Sequence, residues 1–224
     1  MNRSFARRLL AEGVGTLLLV AIGTGAIVLG AERGGWPPGV LPLAWGIAVT
    51  VAVQLFAPVS GAHLNPAVTC ALAVRKRISA SAVAPYVGAQ FAGAFGGSAL
   101  VALLIGRAAD LGATVPAAGS WLAALVGEVG FTVLLLFAVL LIDRSPRGPR
   151  RAWWCLPGVV VALSTAAIGP LSGSSLNLAR TLAPAVLSGT YTDVGLYGVA
   201  AVSSVVITTL VVGAFGRRAR PAPR

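Results

Sequence analysis

Apolar residues in this chain run in long blocks. They show neither the alternation of a half-buried strand nor the single stripe of a soluble amphipathic helix. A hydrocarbon core of about 30 Å takes roughly 20 helical residues to cross. Six blocks approach that length, approximately Phe5 to Leu29, Val40 to Phe56, Ala80 to Ile105, Trp121 to Ile142, Trp153 to Ile168 and Val194 to Phe215. The pattern therefore predicts an all-α membrane protein with six transmembrane helices. The N-terminal "MNRSFARRLL" followed by an apolar run has the outline of a signal peptide, but Glu12 and the length of the run favour an uncleaved first span.

Two shorter apolar segments fall outside the six blocks, and each follows a version of one phrase. "PVSGAHLNPAVT" from Pro58 and "PLSGSSLNLART" from Pro170 agree at Pro, Ser, Gly, Leu, Asn, Ala and Thr, with Asn65 and Asn177 112 residues apart. The starts of the halves agree as well, because Glu12 and Glu128 each precede a Thr by four residues. The chain is thus expected to be a tandem of two three-span units, residues 1–108 and 109–224. An odd number of spans per unit turns the second copy upside down relative to the first. Pro66 to Arg75 would be about 15 Å long as helix, half the hydrocarbon core. Each extra segment is therefore expected to be a re-entrant half-helix, one entering from each face.

Composition supports the bilayer and decides the orientation. Hydrophobic residues make up 57% of the chain and charged residues 10%, more apolar side chain than a soluble domain can bury. The net charge of +11 comes from basic residues in short tracts between the blocks, which excludes a nucleic-acid-binding face as their use. With both termini cytoplasmic, Arg3, Arg7, Arg8, Arg75, Lys76, Arg77, Arg144, Arg147, Arg150, Arg151, Arg217, Arg218, Arg220 and Arg224 lie inside, and only Arg33, Arg107 and Arg180 lie outside. That 14 to 3 split satisfies the positive-inside rule, and implies a plasma or inner membrane. Cys70 and Cys155 fit no metal or redox spacing. Six acidic residues, one histidine and two scattered cysteines offer no convergent catalytic set, so neither an enzyme nor a cofactor or metal site is expected.

The chemistry comes from what a half-helix presents at the midplane. Asn is a favoured N-cap and Pro a favoured first helical residue, so Asn65, Pro66 and Ala67 read as a helix start with free N–H groups and a positive dipole end. Asn177, Leu178 and Ala179 read the same way, with leucine in the proline position. The irregular "SGAH" and "SGSS" ahead of them are tolerable at membrane depth only beside protein or water. Two amide donors and two positive helix ends would then face a wet path that accepts neutral oxygens and repels cations. A secondary transporter also uses inverted repeats, and saturable uptake would mark it.

"SGAHLNPAVT", the "AE" and "GT" at Ala11 to Thr16, and "YVGAQFAGAFGG" from Tyr86 resemble the aquaporin, or major intrinsic protein, family across essentially the whole chain. The resemblance implies a homotetrameric channel conducting water in single file, with glycerol, urea or metalloid acids as the alternative permeants. It implies a selectivity constriction at Trp45, Thr165, Ser174 and Arg180. It further implies that Gly61, Ala62, His63, Gly173 and Ser175 line the pore through their backbone, and that Glu12, Glu128 and Gln90 are structural hydrogen-bonding groups. The constriction departs from both family types: Thr165 stands where water-only members have histidine, and Thr181 where glycerol channels commonly have Asp. Leu178 replaces a proline, and "LYGVAA" from Leu196 lacks the usual Trp and Gly-Pro. Gly93 and Gly97 form a GxxxG step suited to close helix contact within or between protomers.

Overall fold

The computed structural model describes residues 3–143 and 151–218, and the described residues form eight α-helices and no strand. They are α1 (Arg3–Glu32), α2 (Val40–Ser60), α3 (Pro66–Val74), α4 (Ala80–Leu104), α5 (Trp121–Asp143), α6 (Leu156–Ser172), α7 (Leu178–Ser188) and α8 (Val194–Arg218). Six are long and apolar enough to cross a bilayer, with mean hydropathy of 1.6 to 2.6 over their best windows. Leu10, Leu43, Leu103, Leu122 and Leu210 are more than half exposed on the outside of the bundle, which suits hydrocarbon rather than water. The remaining two, α3 and α7, have nine and eleven residues. At 1.5 Å per residue they reach about half-way across the membrane. Arg144, Arg147, Arg150, Arg220 and Arg224 lie outside the described residues.

The observed spans follow the expected blocks, with one systematic difference. Helices α2 and α6 run four residues past the expected ends, to Ser60 and Ser172. The expected ends fall two residues ahead of Pro58 and Pro170, but each proline sits in a last turn, where it forfeits only one intrahelical bond. Both helices stop instead at a left-handed glycine, Gly61 (φ 93°) and Gly173 (φ 74°). Their N–H groups close the last turn on Ala57 O and Gly169 O. Only glycine enters that conformation without a Cβ penalty.

Each half builds its own layer, and the halves then join. Helix α1 packs on α4 and α2, α5 packs on α8 and α6, and α2 meets α6 across the junction. The junction is a reciprocal glycine contact. A Cβ on Gly46 would come within 3.0 Å of Gly158 O, and a Cβ on Gly158 would collide with Gly46 O and Thr50 Oγ1. These two glycines, like the asparagines, are 112 residues apart. The Gly93/Gly97 step is used inside the protomer: a Cβ at Gly93 would run into Gly13 O, and one at Gly97 would stand 2.6 Å from Leu17 O. Backbone meets backbone along the α1–α4 seam, where dispersion rather than hydrophobicity holds helices together.

Because both partners at Gly93 are main chain, neither can step aside. Gly93→Val is expected to lower stability by about 1–3 kcal/mol or more. Gly88→Ala, where an added methyl meets nothing within 4 Å, should be neutral or slightly stabilising. Thermal melting of the detergent-solubilised protein by size-exclusion chromatography distinguishes the two.

Candidate functional site

The site is built from the helix starts of α3 and α7. Asn65 (φ −157°) and Asn177 (φ −148°) are extended N-caps. Asn65 Oδ1 accepts from Ala67 N–H at 2.9 Å, and Asn177 Oδ1 accepts from Ala179 N–H at 3.1 Å and Arg180 N–H at 3.4 Å. Each side-chain amide donates to the loop preceding the other half-helix: Asn65 Nδ2 to Leu176 O at 2.7 Å, and Asn177 Nδ2 to Leu64 O at 2.8 Å. An Asn amide has two hydrogens. One is spent on this cross-bond, which leaves one per asparagine for the cavity that both residues line.

Two buried carboxylates shape the loops ahead of the caps. Glu12 is 0% exposed. Its Oε1 accepts from Ser60 Oγ (2.7 Å) and His63 N–H (2.9 Å), and its Oε2 from Leu64 N–H (2.7 Å) and Gln90 Nε2 (2.8 Å). Glu128 repeats the pattern with Ser172 Oγ, Ser175 N–H and Leu176 N–H at 2.7 to 2.9 Å. Gln90 also donates to Thr69 Oγ1, so α4 ties α1 to α3. The amides can reach these acids only because Ala62, Leu64, Ser174 and Leu176 adopt positive φ, between 47° and 54°. Each such non-glycine residue costs about 1–2 kcal/mol. Gly61, Ala62 and His63, next to these bonds, border the cavity.

The cavity has a volume of about 440 Å³. It runs from Arg8, Arg77 and Asp143 at one end, where Arg77 Nε and Asp143 Oδ2 pair at 2.6 Å, to Trp45, Ser174 and Arg180 at the other. Its lining combines the loop residues Gly61 to Leu64 and Ser174 to Leu176, Asn65 and Asn177 with apolar side chains such as Val49, Val53, Val161 and Leu135. Arg180 is 1% exposed. It donates from Nη1 to Gly112 O at 2.8 Å and from Nη2 to Gly173 O at 3.5 Å, while its guanidinium lies over the Trp45 ring, 4.6 Å from the centroid. A desolvated cation–π contact of this kind is worth about 2 kcal/mol. Among the described residues no acceptor meets Arg180 Nε.

Of the residues singled out from sequence, Trp45, Ser174, Arg180, Asn65, Asn177, Gly61, Ala62, His63 and Ser175 border this cavity. Thr165 does not: it is half-buried on α6 and donates to Val161 O at 2.9 Å within its own helix. Gly173 contributes only its carbonyl, toward Arg180. Glu12, Glu128 and Gln90 stand behind the loops, and Leu178 packs away from the cavity on Ala124, Leu196 and Tyr197. Three further groups emerge from the structure. Tyr86 OH donates to Ser60 O, and Tyr197 OH to Ser172 O, so a matching pair of tyrosines closes each loop. Ser164 Oγ meets Ser174 Oγ at 2.7 Å. Thr181 bonds Thr114 and Ser175, so a hydroxyl chain occupies the position after Arg180. Ser60 and Ser172 are matched letters of the repeat, whereas the tyrosines fall where α4 and α8 share no phrase.

Six spans around two capped half-helices that meet head to head define a membrane channel rather than a binding protein or an enzyme. The chain belongs to the major intrinsic protein family, whose model matches residues 1–211. It is 36% identical over 195 residues to Aquaporin NIP1-3 of Oryza sativa subsp. japonica, covering 86% of this chain and 68% of that one. It is also 36% identical to the propanediol uptake facilitator PduF of Citrobacter freundii, covering 82% of this chain and 77% of that protein. The crystal structure of the aquaglyceroporin from Plasmodium falciparum superposes with a TM-score of 0.80 at 25% identity, covering 94% of this chain and 95% of that one.

Replacing Glu12 by Gln removes the charge and turns an NH₂ group toward N–H donors. A loss of about 3 kcal/mol or more is expected, read as reduced melting temperature and lost osmotic flux in reconstituted vesicles. Leu178→Pro is expected to fold and to keep permeability within about twofold, since the first-turn N–H has no intrahelical acceptor. The same vesicle assay checks it.

Proposed function

We propose that this protein is a passive channel for water and small uncharged solutes of the polyol type, and that it excludes ions and protons. The observation carrying this reading is a cavity lined both by polar loop and asparagine groups and by apolar side chains, with Arg180 over Trp45 at one end. A polyol has hydroxyls along one edge and C–H along the other. The hydroxyls match the polar loop and asparagine groups, and the C–H edge matches Trp45, Val49 and Val53. Arg180 brings a fixed positive charge to this end of the cavity, held by Gly112 O and Gly173 O. The absence of a histidine at Thr165 and the small Ser174 leave more room there than a water-only ring has. The propanediol facilitator and the aquaglyceroporin among the similar proteins support a solute-conducting reading.

Ion exclusion has a physical basis in the same groups. A cation reaching the midplane meets two asparagine N–H donors, two positive helix ends and a buried guanidinium, and finds no acidic ring to replace its hydration. The constriction is assigned to Trp45, Ser174 and Arg180, with Thr165 beside it. The basic face bearing Arg8 and Arg77 is taken as cytoplasmic under the positive-inside rule, so both termini lie inside. The cell membrane and a homotetramer complete the proposal.

Vesicles containing the purified protein should shrink rapidly in impermeant osmolyte and re-swell in glycerol or 1,2-propanediol. Shrinkage without re-swelling would restrict the channel to water. Arg180→Val should raise proton or cation leak by about tenfold or more, since it removes the fixed charge at the constriction. A pH-sensitive dye inside the vesicles reads that leak.

A further inference from the structure

The internal repeat gives every residue of the proposed constriction a counterpart 112 positions away on the opposite side of the midplane. Trp45 maps onto Pro157, Thr165 onto Val53, Ser174 onto Ala62 and Arg180 onto Val68. All four counterparts border the same cavity. Where one ring carries a cation and hydroxyls, its mirror carries apolar side chains only. Trp154 stands three residues before Pro157, in the short turn Arg151–Cys155 that leads into α6. It is 9% exposed, borders the cavity, and packs in one cluster with Val53, Ala57 and Ile142. The largest side-chain type in the chain thus borders the path, on the side where Arg8 and Arg77 also line it.

We infer that Trp154, with Val53, Val68 and Pro157, forms an apolar collar on the basic side of the pore, and that Trp154 sets the largest solute the channel passes. The inference deepens the polyol reading above and rests on it. At the opposite ring, Ser174 is small and drawn toward Ser164, and Thr165 is turned to its own helix. That ring selects by charge and hydrogen bonding. The collar has no side-chain donor or acceptor apart from the indole N–H, so it selects by width and by the cost of shedding water from each hydroxyl. A longer polyol sheds more water at once and is held back more strongly.

The test compares glycerol with the four-carbon erythritol in re-swelling of vesicles carrying wild type, Trp154→Ala, Trp154→Phe or Ala57→Phe. Trp154→Ala should raise the erythritol-to-glycerol permeability ratio roughly threefold or more. Trp154→Phe should leave it near wild type, and Ala57→Phe, which narrows the collar from the facing helix, should lower it. If wild type passes glycerol and Trp154→Ala leaves the ratio unchanged, the collar is overturned while the polyol reading stands. If wild type excludes glycerol but Trp154→Ala admits it, the collar stands and the wild-type function is water conduction. If no variant passes a polyol, both fail. Should Trp154→Ala elute as aggregate, Trp154→Leu and Ala57→Phe decide by the same ratio, and opposite shifts support the collar.

Discussion

Two carboxylates sealed from solvent, Glu12 and Glu128, hold consecutive backbone amides of the two re-entrant loops, and the rest of the channel geometry follows from those bonds. A carboxylate at membrane depth is expensive unless its lone pairs are occupied. Glu12 has four donors and Glu128 has three. Ionic hydrogen bonds are roughly twice as strong as neutral ones, which offsets the strain of two left-handed residues per loop. With these amides committed to the acids, the carbonyls of Leu64 and Leu176 are free to accept from Asn177 and Asn65, so the acids on one side and the asparagines on the other fix each loop.

The two ends of this path differ chemically although their backbones match. In the second half, the residue three positions after the Asn is Arg180, and in the first half it is Val68. The cation is stabilised in place by Gly112 O, Gly173 O and the face of Trp45. Gly112 is brought there by a left-handed turn over Ala109, Asp110 and Leu111 (φ 48° to 56°), one of the less usual backbone passages in the chain. The symmetry of the repeat provides the frame, and substitutions at a few mirrored positions make one side polar and charged and the other apolar.

Much of this arrangement was legible in the sequence because its determinants are local and duplicated. Asn followed by Pro names a helix start, glycine after "PVS" and "PLS" names a helix stop, and the 112-residue offset ties the two together. Ser60 and Ser172 were matched letters whose partners only the fold supplies. Other features depend on contacts between distant segments. In the turn at Ala108–Gly112 only the last left-handed position, Gly112, carries a glycine, while Ala109 and Leu111 give no local sign of theirs. Tyr86 and Tyr197 lie on helices without a shared phrase, and the close approach of Gly93 to Gly13 involves a glycine that no motif flags. The family resemblance implied Thr165 in the constriction, and its hydroxyl donates to Val161 O within its own helix.

The crossed bonds from each asparagine to the loop of the opposite half carry an implication for motion. Neither half-helix has a fully satisfied start on its own, because the amide of one is completed by the carbonyl of the other. Sliding or tilting one loop would unpair both at once. The centre of the channel is therefore a single mechanical element, and any opening or closing must be delegated to side chains and to the segments at the two mouths.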